Sequence, residues 1–475
     1  MSIRVLALYL FVAGLSIYAW KDWFKSLCGL ILVTAIMGHP DFSKGIGGIQ
    51  GLNLWNILFA NVFLAWLMNR RRQGLLWDMP AHINVFLVLW LGVILVGWLW
   101  TVFDRSRLTD RTLTSLVSEQ LINTVKWPLL GLLLFDGCRT HHRIKAAFVC
   151  IVLFFVLFAV QIGKSIPPGA VLEPGNMRAR KNLIDDVAIS PNGAAKMMSG
   201  VPWAMLAVMP LLKKWKYRFI MLGLCVMSSY ALALTGGRSG YFACGATLVL
   251  LCILRWRRYL PLIPLAMLIL SIVLPGAAAR MMMGFGQLDV AGDEITNMDD
   301  VTAGRSEIWP IVISKIYESP VFGFGREAMR RTGLQQSLED TYGKTAGMAV
   351  AHPHNAYLEV LIESGLIGFV VIIGLHAIIW VYSLRLFVDR GDPLYTAVGG
   401  FTLALLTGHL VAFMGGQSFY SEQIDVGLWC AIGAMLRLYV ERGRLVAEAN
   451  GASTASTRIT ENVIVSKTPW CWADS

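Results

Sequence analysis

The sequence predicts an all-α polytopic membrane protein, a bundle of 12–13 transmembrane helices with one large periplasmic loop containing short helices. Three observations predict it. Of 475 residues, 56% are hydrophobic and only 15% are charged, whereas soluble domains carry roughly a quarter of charged residues. Apolar runs long enough to cross ~30 Å of hydrocarbon as helices recur along almost the whole chain. Those runs are unbroken stretches of Leu, Ile, Val and Phe, which argues against the polar–apolar alternation of a β-barrel.

Taken in order, the candidate spans are 4–20, 25–39, 52–68, 82–103, 120–136, 146–163, 194–212, 218–234, 240–255, 260–278, 356–387, 394–414 and 424–440. The run from Val5 to Trp20 lacks a small-residue cleavage pattern and reads as a retained helix. Two spans within 1–39 give thirteen helices; one interfacial segment gives twelve, and both remain open. Basic clusters at Arg70–Arg72, Arg139–Lys145, Lys213–Arg218, Arg255–Arg258, Arg385–Arg390 and Arg437–Arg444 fall in every second connection and mark the cytoplasmic side. The net charge of +11 is therefore a topology signal, and no nucleic-acid partner is expected. The eight cysteines fall mostly in or beside apolar runs without CxxC spacing and read as small core residues.

The chain divides into N-terminal helices over 1–193 with an external loop at 164–193, central helices over 194–278, a large catalytic loop at 279–355, C-terminal helices over 356–444, and a flexible cytoplasmic tail at 445–475. A loop far longer than ~12–15 residues tends to be functional or disordered, and this one is not low-complexity. Within it, Ser306 to Ser319 predicts a helix whose stripe is Ile308, Trp309, Val312, Ile313, Ile316 and Tyr317, ended by Pro320. The stretch Pro320-Val321-Phe322-Gly323-Phe324-Gly325 reads as a turn that folds the loop back.

Chemistry concentrates in the external segments. Arg238 follows Gly236-Gly237 in a tight turn on the side where topology disfavours basic charge, which suits an anion or a watery cavity; a contact with headgroup phosphate is the structural alternative. Arg305 opens the loop helix, where it opposes the dipole but joins free backbone N–H groups in an anion site; pairing with Asp299, Asp300 or Glu307 is the alternative. At His352-Pro353-His354-Asn355, Asn355 is the expected N-cap of the following span. A neutral imidazole is favoured beside a helix N-terminus, and neutral histidine is what a general base requires. His376 and His409, inside spans, read as structural. Arg178, Arg180 and Lys181 would attract an anionic glycan carrier or lipid headgroups, or pair with Glu173, Asp185 and Asp186. No third ligand is spaced to join His352 and His354, and the acidic run Asp293, Glu294, Asp299 and Asp300 lacks a calcium-loop spacing, so no metal site is expected.

The order of these motifs resembles the O-antigen ligase and polymerase superfamily, multi-span bacterial inner-membrane glycosyltransferases of GT-C type. The set comprises an arginine after a mid-chain span, a Gly-Arg opening a helix that ends in Pro-x-x-Gly-x-Gly, and a His-Asn running on to Glu363-Ser364-Gly365-Leu366-Ile367-Gly368. It covers roughly 195–440. The resemblance implies transfer of a glycan from undecaprenyl diphosphate to an acceptor hydroxyl at the periplasmic face, without metal, nucleotide or other cofactor. It assigns diphosphate binding to Arg238 and Arg305 and the base to His354, with His352 a second candidate; Gly237 stands where the family carries serine. His352, Asn355, Arg178, Arg180 and Lys181 are further candidates for substrate contact. A direct displacement inverting the anomeric centre follows. The expected partners are the lipid-linked glycan, a lipid A-core or other hydroxyl acceptor, and membrane lipids. Ligation to lipid A-core ranks first, polymerisation second and protein O-glycosylation third. A transporter would carry internal repeats with interrupted helices, and a scaffold would tolerate loss of His354.

Overall fold

The computed structural model describes residues 3–39, 42, 45–46, 49–166, 177–273, 278, 305–342, 352–416 and 418–456. The acidic run at 293–300, Gly304 and the tail beyond 456 lie outside the described residues.

The described residues are helical, with one two-residue antiparallel pair among them, Gly45–Ile46 with Ile49–Gln50. The first helices are α1 (Ile3–Tyr18), α2 (Trp23–Ile36), α3 (Leu54–Arg72) and α4 (Ala81–Phe103). After a π-helical turn at Val117–Ile122 come α5 (Asn123–Gly137), α6 (His141–Ser165) and α7 (Met177–Val187). The centre holds α8 (Pro191–Met198), α9 (Val201–Ala207), α10 (Trp215–Thr235), α11 (Arg238–Leu254) and α12 (Leu262–Val273). The loop contributes α13 (Arg305–Ile316), α14 (Ala328–Arg331) and α15 (Leu334–Tyr342), and the chain closes with α16 (Ala356–Val388), α17 (Pro393–Ala412) and α18 (Val426–Ser456).

The all-α polytopic architecture expected from hydropathy is present. Seven described helical stretches are long and apolar enough to cross a membrane, and α1, α2 and α11 are shorter apolar helices. The expected 12–13 spans thus correspond to a more uneven set. The stretch at 194–212 is interrupted at Ser199-Gly200, where Pro202 has no N–H to donate back to Met198, and Gly200 packs on α17 so closely that a Cβ would lie 2.3 Å from the Ala404 carbonyl oxygen. The predicted loop helix is α13, beginning one residue earlier than expected and ending before Ser319.

The innermost helices are α17 and α18, where Phe401, Leu405, Met435 and Leu438 have essentially no exposure. Glycine lets them approach their neighbours: a Cβ on Gly433 would sit 1.9 Å from the Gly131 carbonyl oxygen of α5. By contrast α4 and α12 expose Val88, Val96, Leu268 and Ile272, the pattern of helices facing lipid.

The two ends of the bundle differ in composition. Arg70, Arg139, Arg255, Arg437 and Arg442 lie at one end, with Asp78, Asp136 and Asp389. His352, His354, Arg238 and the start of α13 lie at the helix ends opposite.

Candidate active site

The span beginning at Ala356 is not a continuous helix, a correction to the sequence expectation. Gly365 adopts φ 59°, ψ −163°, which breaks α16 after nine residues. A broken helix leaves carbonyls and N–H groups without intrahelical partners, and in a membrane each must be satisfied by protein or by a watery cavity. The Pro320–Gly325 turn supplies them. The Phe324 N–H donates to the Ile362 carbonyl (2.9 Å) and the Gly325 N–H to that of Glu363 (2.7 Å); on the other side the N–H groups of Leu366 and Ile367 donate to the carbonyls of Pro320 (2.8 Å) and Val321 (3.3 Å). The approach is too close for side chains. A Cβ on Gly365 would lie 2.3 Å from the Val321 carbonyl carbon, and one on Gly323 2.5 Å from that of Glu363.

The broken-off first segment of α16 presents the chemistry. Asn355 caps it as expected, its Oδ1 accepting from the N–H groups of Tyr357 (3.0 Å) and Leu358 (3.3 Å). Glu359 and Glu363 are four residues apart and so share a face. His352 Nδ1 lies 3.2 Å from Glu359 Oε1, joining the junction to that face. Glu363 accepts a hydrogen bond from the Glu327 N–H at 2.7 Å, and its other oxygen is 3.4 Å from Arg326 Nε.

Arg326 is the residue around which this cluster closes. Its guanidinium lies 3.3 Å from the centroid of the Tyr420 ring, an enclosed cation–π contact, and the Tyr420 hydroxyl is 3.2 Å from Ser364 Oγ. Its backbone is fixed to α4, since the Thr101 hydroxyl donates to the Arg326 carbonyl at 3.0 Å. Gln120, on the π-helical turn, donates to Glu327 at 2.7 Å. Arg326 Nε and Glu363 Oε2 face each other as an ion pair at 3.4 Å without hydrogen-bond geometry, while the buried Arg326 Nη1 and Glu359 Oε2 have no hydrogen-bond partner among the described residues. Buried charged groups ordinarily saturate their bonds, so these are positioned for water or a polar ligand.

A second buried cluster lies alongside. Lys196 Nζ is 3.1 Å from Asp425 Oδ1, and His409 Nε2 is 3.4 Å from the same oxygen, while His409 Nδ1 is 2.9 Å from the Leu405 carbonyl. The structural reading of His376 agrees with its 2.8 Å contact to the Ile372 carbonyl; His409 goes further, because it also meets a carboxylate.

The predicted site residues fall as follows. Gly236 is the left-handed cap of α10 (φ 64°), and Arg238 is the first residue of α11. Gly237 and Gly240 press on α8, where added Cβ atoms would lie 2.4 and 2.7 Å from Ala195 Cβ, so Arg238 stands beside the helix that carries Lys196. Lys196 in turn lies over Phe413, whose carbonyl accepts from the Ala356 N–H at 3.0 Å. The Arg238 turn and the histidine junction therefore share one scaffold, α8 with the end of α17. His354 takes a left-handed conformation (φ 50°) just before the cap. Arg305 is the first residue of α13, and one turn later the Trp309 indole N–H donates to the Pro353 carbonyl at 2.9 Å, docking that helix between the two histidines. Arg178, Arg180 and Lys181 lie on α7, a helix where the sequence reading had only a loop. The side chains of these three and of Arg305 are outside the described ones.

Sequence reasoning missed Arg326, Glu359, Glu363, Tyr420, Lys196 and Asp425. A signal existed for the glutamates, two carboxylates at helical spacing inside an apolar run. None existed for Arg326, whose burial depends on Tyr420 almost a hundred residues later.

Burial by itself would lower the pKa of His352, but the hydrogen bond and charge of Glu359, with Glu363 and Glu327 beyond, raise it above the ordinary histidine value.

With this geometry in view, comparison with known families is decisive for one segment. Residues 223–373 match the O-antigen ligase family model. The match supports membership of the O-antigen ligase and polymerase superfamily. It encloses Arg238, Arg305, Arg326, both histidines of the junction, both glutamates and the break at Gly365. Lys196, His409, Tyr420 and Asp425 lie outside the O-antigen ligase segment. No curated protein matches the chain.

Proposed function

We propose that the protein is a glycosyltransferase of the O-antigen ligase type, moving a glycan from undecaprenyl diphosphate to an acceptor hydroxyl, first a lipid A-core sugar, at the periplasmic face of the inner membrane. The observation that carries this reading is the O-antigen ligase match, whose bounds enclose the whole ordered set Arg238, Arg305 and His354.

In the proposed reaction His354 accepts the proton of the acceptor hydroxyl as its oxygen attacks the anomeric carbon. The bond from that carbon to the phosphate oxygen breaks, and its electron pair leaves on the diphosphate. Arg238 and Arg305 balance the charge that develops there, which is the electrostatic task a metal ion performs in other transferases. Attack opposite the leaving group inverts the anomeric centre. Asn355 fixes the junction through its cap, and Arg178, Arg180 and Lys181 would draw anionic carriers toward it.

The test is transfer by the purified protein with an undecaprenyl-diphosphate-linked glycan, lipid A-core acceptor and EDTA. Transfer is expected in EDTA and is expected to be lost in Arg238→Ala, Arg305→Ala and His354→Ala. Loss of wild-type transfer on EDTA addition would sink the metal-free mechanism. Transfer to a second lipid-linked repeat in place of lipid A-core would make it a polymerase.

A further inference from the structure

Two histidines flank Pro353, and His352 has a buried carboxylate beside it. His354 directly precedes the N-cap of α16, where the helix dipole opposes an added positive charge. His352 instead has Glu359 at 3.2 Å on Nδ1. The other charged groups that act on it or border its carboxylates are Glu363 on the same helix, Glu327 and Arg326 from the loop strapped across the helix break, and Glu422 from the turn before α18. Glu327 is itself paired with Arg330 at 3.0 Å, and Lys196 and Asp425 border Glu422 and Glu359; the charges that act directly on His352 are the carboxylates of Glu359, Glu363 and Glu327, so the field at this ring is negative. The His352 side chain is 44% exposed while that of Glu359 is 6% exposed, so the ring opens outward from an enclosed carboxylate. Its Nε2 has no hydrogen-bond partner among the described residues.

We propose that His352 works as an imidazolium, held in that state by Glu359 as its positioning residue, and that it presents its Nε2–H to the diphosphate of the donor. This rests on the proposed O-antigen ligase reading and divides the labour within the junction. His354, neutral, takes the proton released when the acceptor O–H bond breaks. His352 transfers no proton; its charge stabilises the electron pair that passes to the phosphate oxygen as the sugar–phosphate bond breaks. Environments that push two like groups apart in protonation are how one site holds an acid form and a base form together. Docking of α13 on Pro353 by Trp309 brings the start of the Arg305 helix to the same junction, so the third cation joins the two arginines already proposed.

The experiment uses the full-length protein in nanodiscs and three readouts. Of the two protonation states of an imidazole, diethyl pyrocarbonate modifies the neutral one, and peptide fragmentation separates His352 from His354. The midpoint for His352 is expected above the ordinary value of about 6.5, and Glu359→Gln is expected to move it down. At a pH between the two midpoints, inorganic diphosphate is expected to protect His352 in the wild type and not in Glu359→Gln, while Glu359→Asp restores protection. In the transfer assay activity is expected to fall as pH rises, along a limb that Glu359→Gln shifts to lower pH. Size-exclusion profiles and melting temperatures identify any variant that fails to fold, and Glu359→Asp then carries the comparison. A His352 midpoint at or below the ordinary value, unmoved by Glu359→Gln, overturns the proposal, as does absence of diphosphate protection. An acidic limb that moves with Glu359→Gln would instead make His352 the base. If no glycan is transferred at all, the O-antigen ligase reading fails, while modification and protection still decide the state of His352.

Discussion

The two ends of the bundle hold the same kinds of charged residue and use them in opposite ways. At the arginine-rich end every carboxylate oxygen of the buried pairs has a partner, and of the paired arginines there only Arg70 keeps a buried nitrogen, Nη2, without one among the described residues. Asp136 accepts from Arg139 at 2.5 Å and from Arg70 and Trp66 at 2.9 Å, and Asp78 takes Arg437 in a bidentate pair at 2.7 and 2.8 Å. Arg255 and Arg442 likewise staple the end of α16 through the Phe387 carbonyl and Asp389. At the histidine end, Arg326, Glu359, Glu363 and Asp425 are as deeply buried yet keep atoms without hydrogen-bond partners among the described residues. Saturated pairs hold helices together. Unsaturated ones cost stability, and the difference separates the two ends more sharply than the number of charges does.

That contrast can be broken by substitution. The largest effect is expected at Gly365, because a side chain there meets both a left-handed φ and the Val321 backbone at 2.3 Å. Gly365→Val should expel the Pro320–Gly325 turn and destabilise the protein by more than about 3 kcal/mol, seen as a lowered melting temperature and as loss of hydrogen-exchange protection at Phe324, Gly325 and Leu366.

Next come the two kinds of ion pair. Asp78→Ala strands the buried Arg437 and is expected to cost about 3–5 kcal/mol in denaturation, with normal transfer by the fraction that remains folded. Glu363→Gln keeps the acceptor for the Glu327 N–H but removes the charge that faces Arg326 Nε at 3.4 Å, and it should cost less in melting than Asp78→Ala while strongly lowering transfer. Equal loss of stability in both would erase the distinction between the ends.

Smaller still, Trp309→Phe deletes one hydrogen bond between α13 and Pro353 and should cost about 1 kcal/mol, with transfer reduced because the Arg305 helix is no longer pinned. The smallest effect is in pH dependence. The His352 pKa is raised in the folded state, so the stability from its pair with Glu359 is fully present below the unfolded value of about 6.5 and is lost as pH rises through the folded one. Melting temperatures across this window should decline in the wild type and flatten in His352→Phe.

Much of the fold was legible before any coordinates. Hydropathy found the helices because lipid-facing and core-facing side chains are both apolar, and Asn355 announced its cap and Gly236-Gly237 their turn by local chemistry alone. The single span at 356–387 misled for the same reason: nine helical residues, a glycine and a further apolar run have the hydropathy of one helix. Only the turn lodged between Ser364 and Leu366 shows the break. Arg238, Arg305 and the histidines stood out because charge is costly at a membrane boundary. Lys196 escaped notice, since its partner Asp425 is more than two hundred residues away.

The sequence by itself determined the all-α membrane architecture, the large loop and a junction where polar groups enter an apolar run, because these follow from side-chain periodicity and short-range geometry. Tertiary structure decided which carboxylate faces which histidine, how the Pro320–Gly325 turn repairs a broken helix, and that Arg326 lies at the middle of the cluster. Those relations join residues distant in sequence, and only packing brings them within hydrogen-bond range.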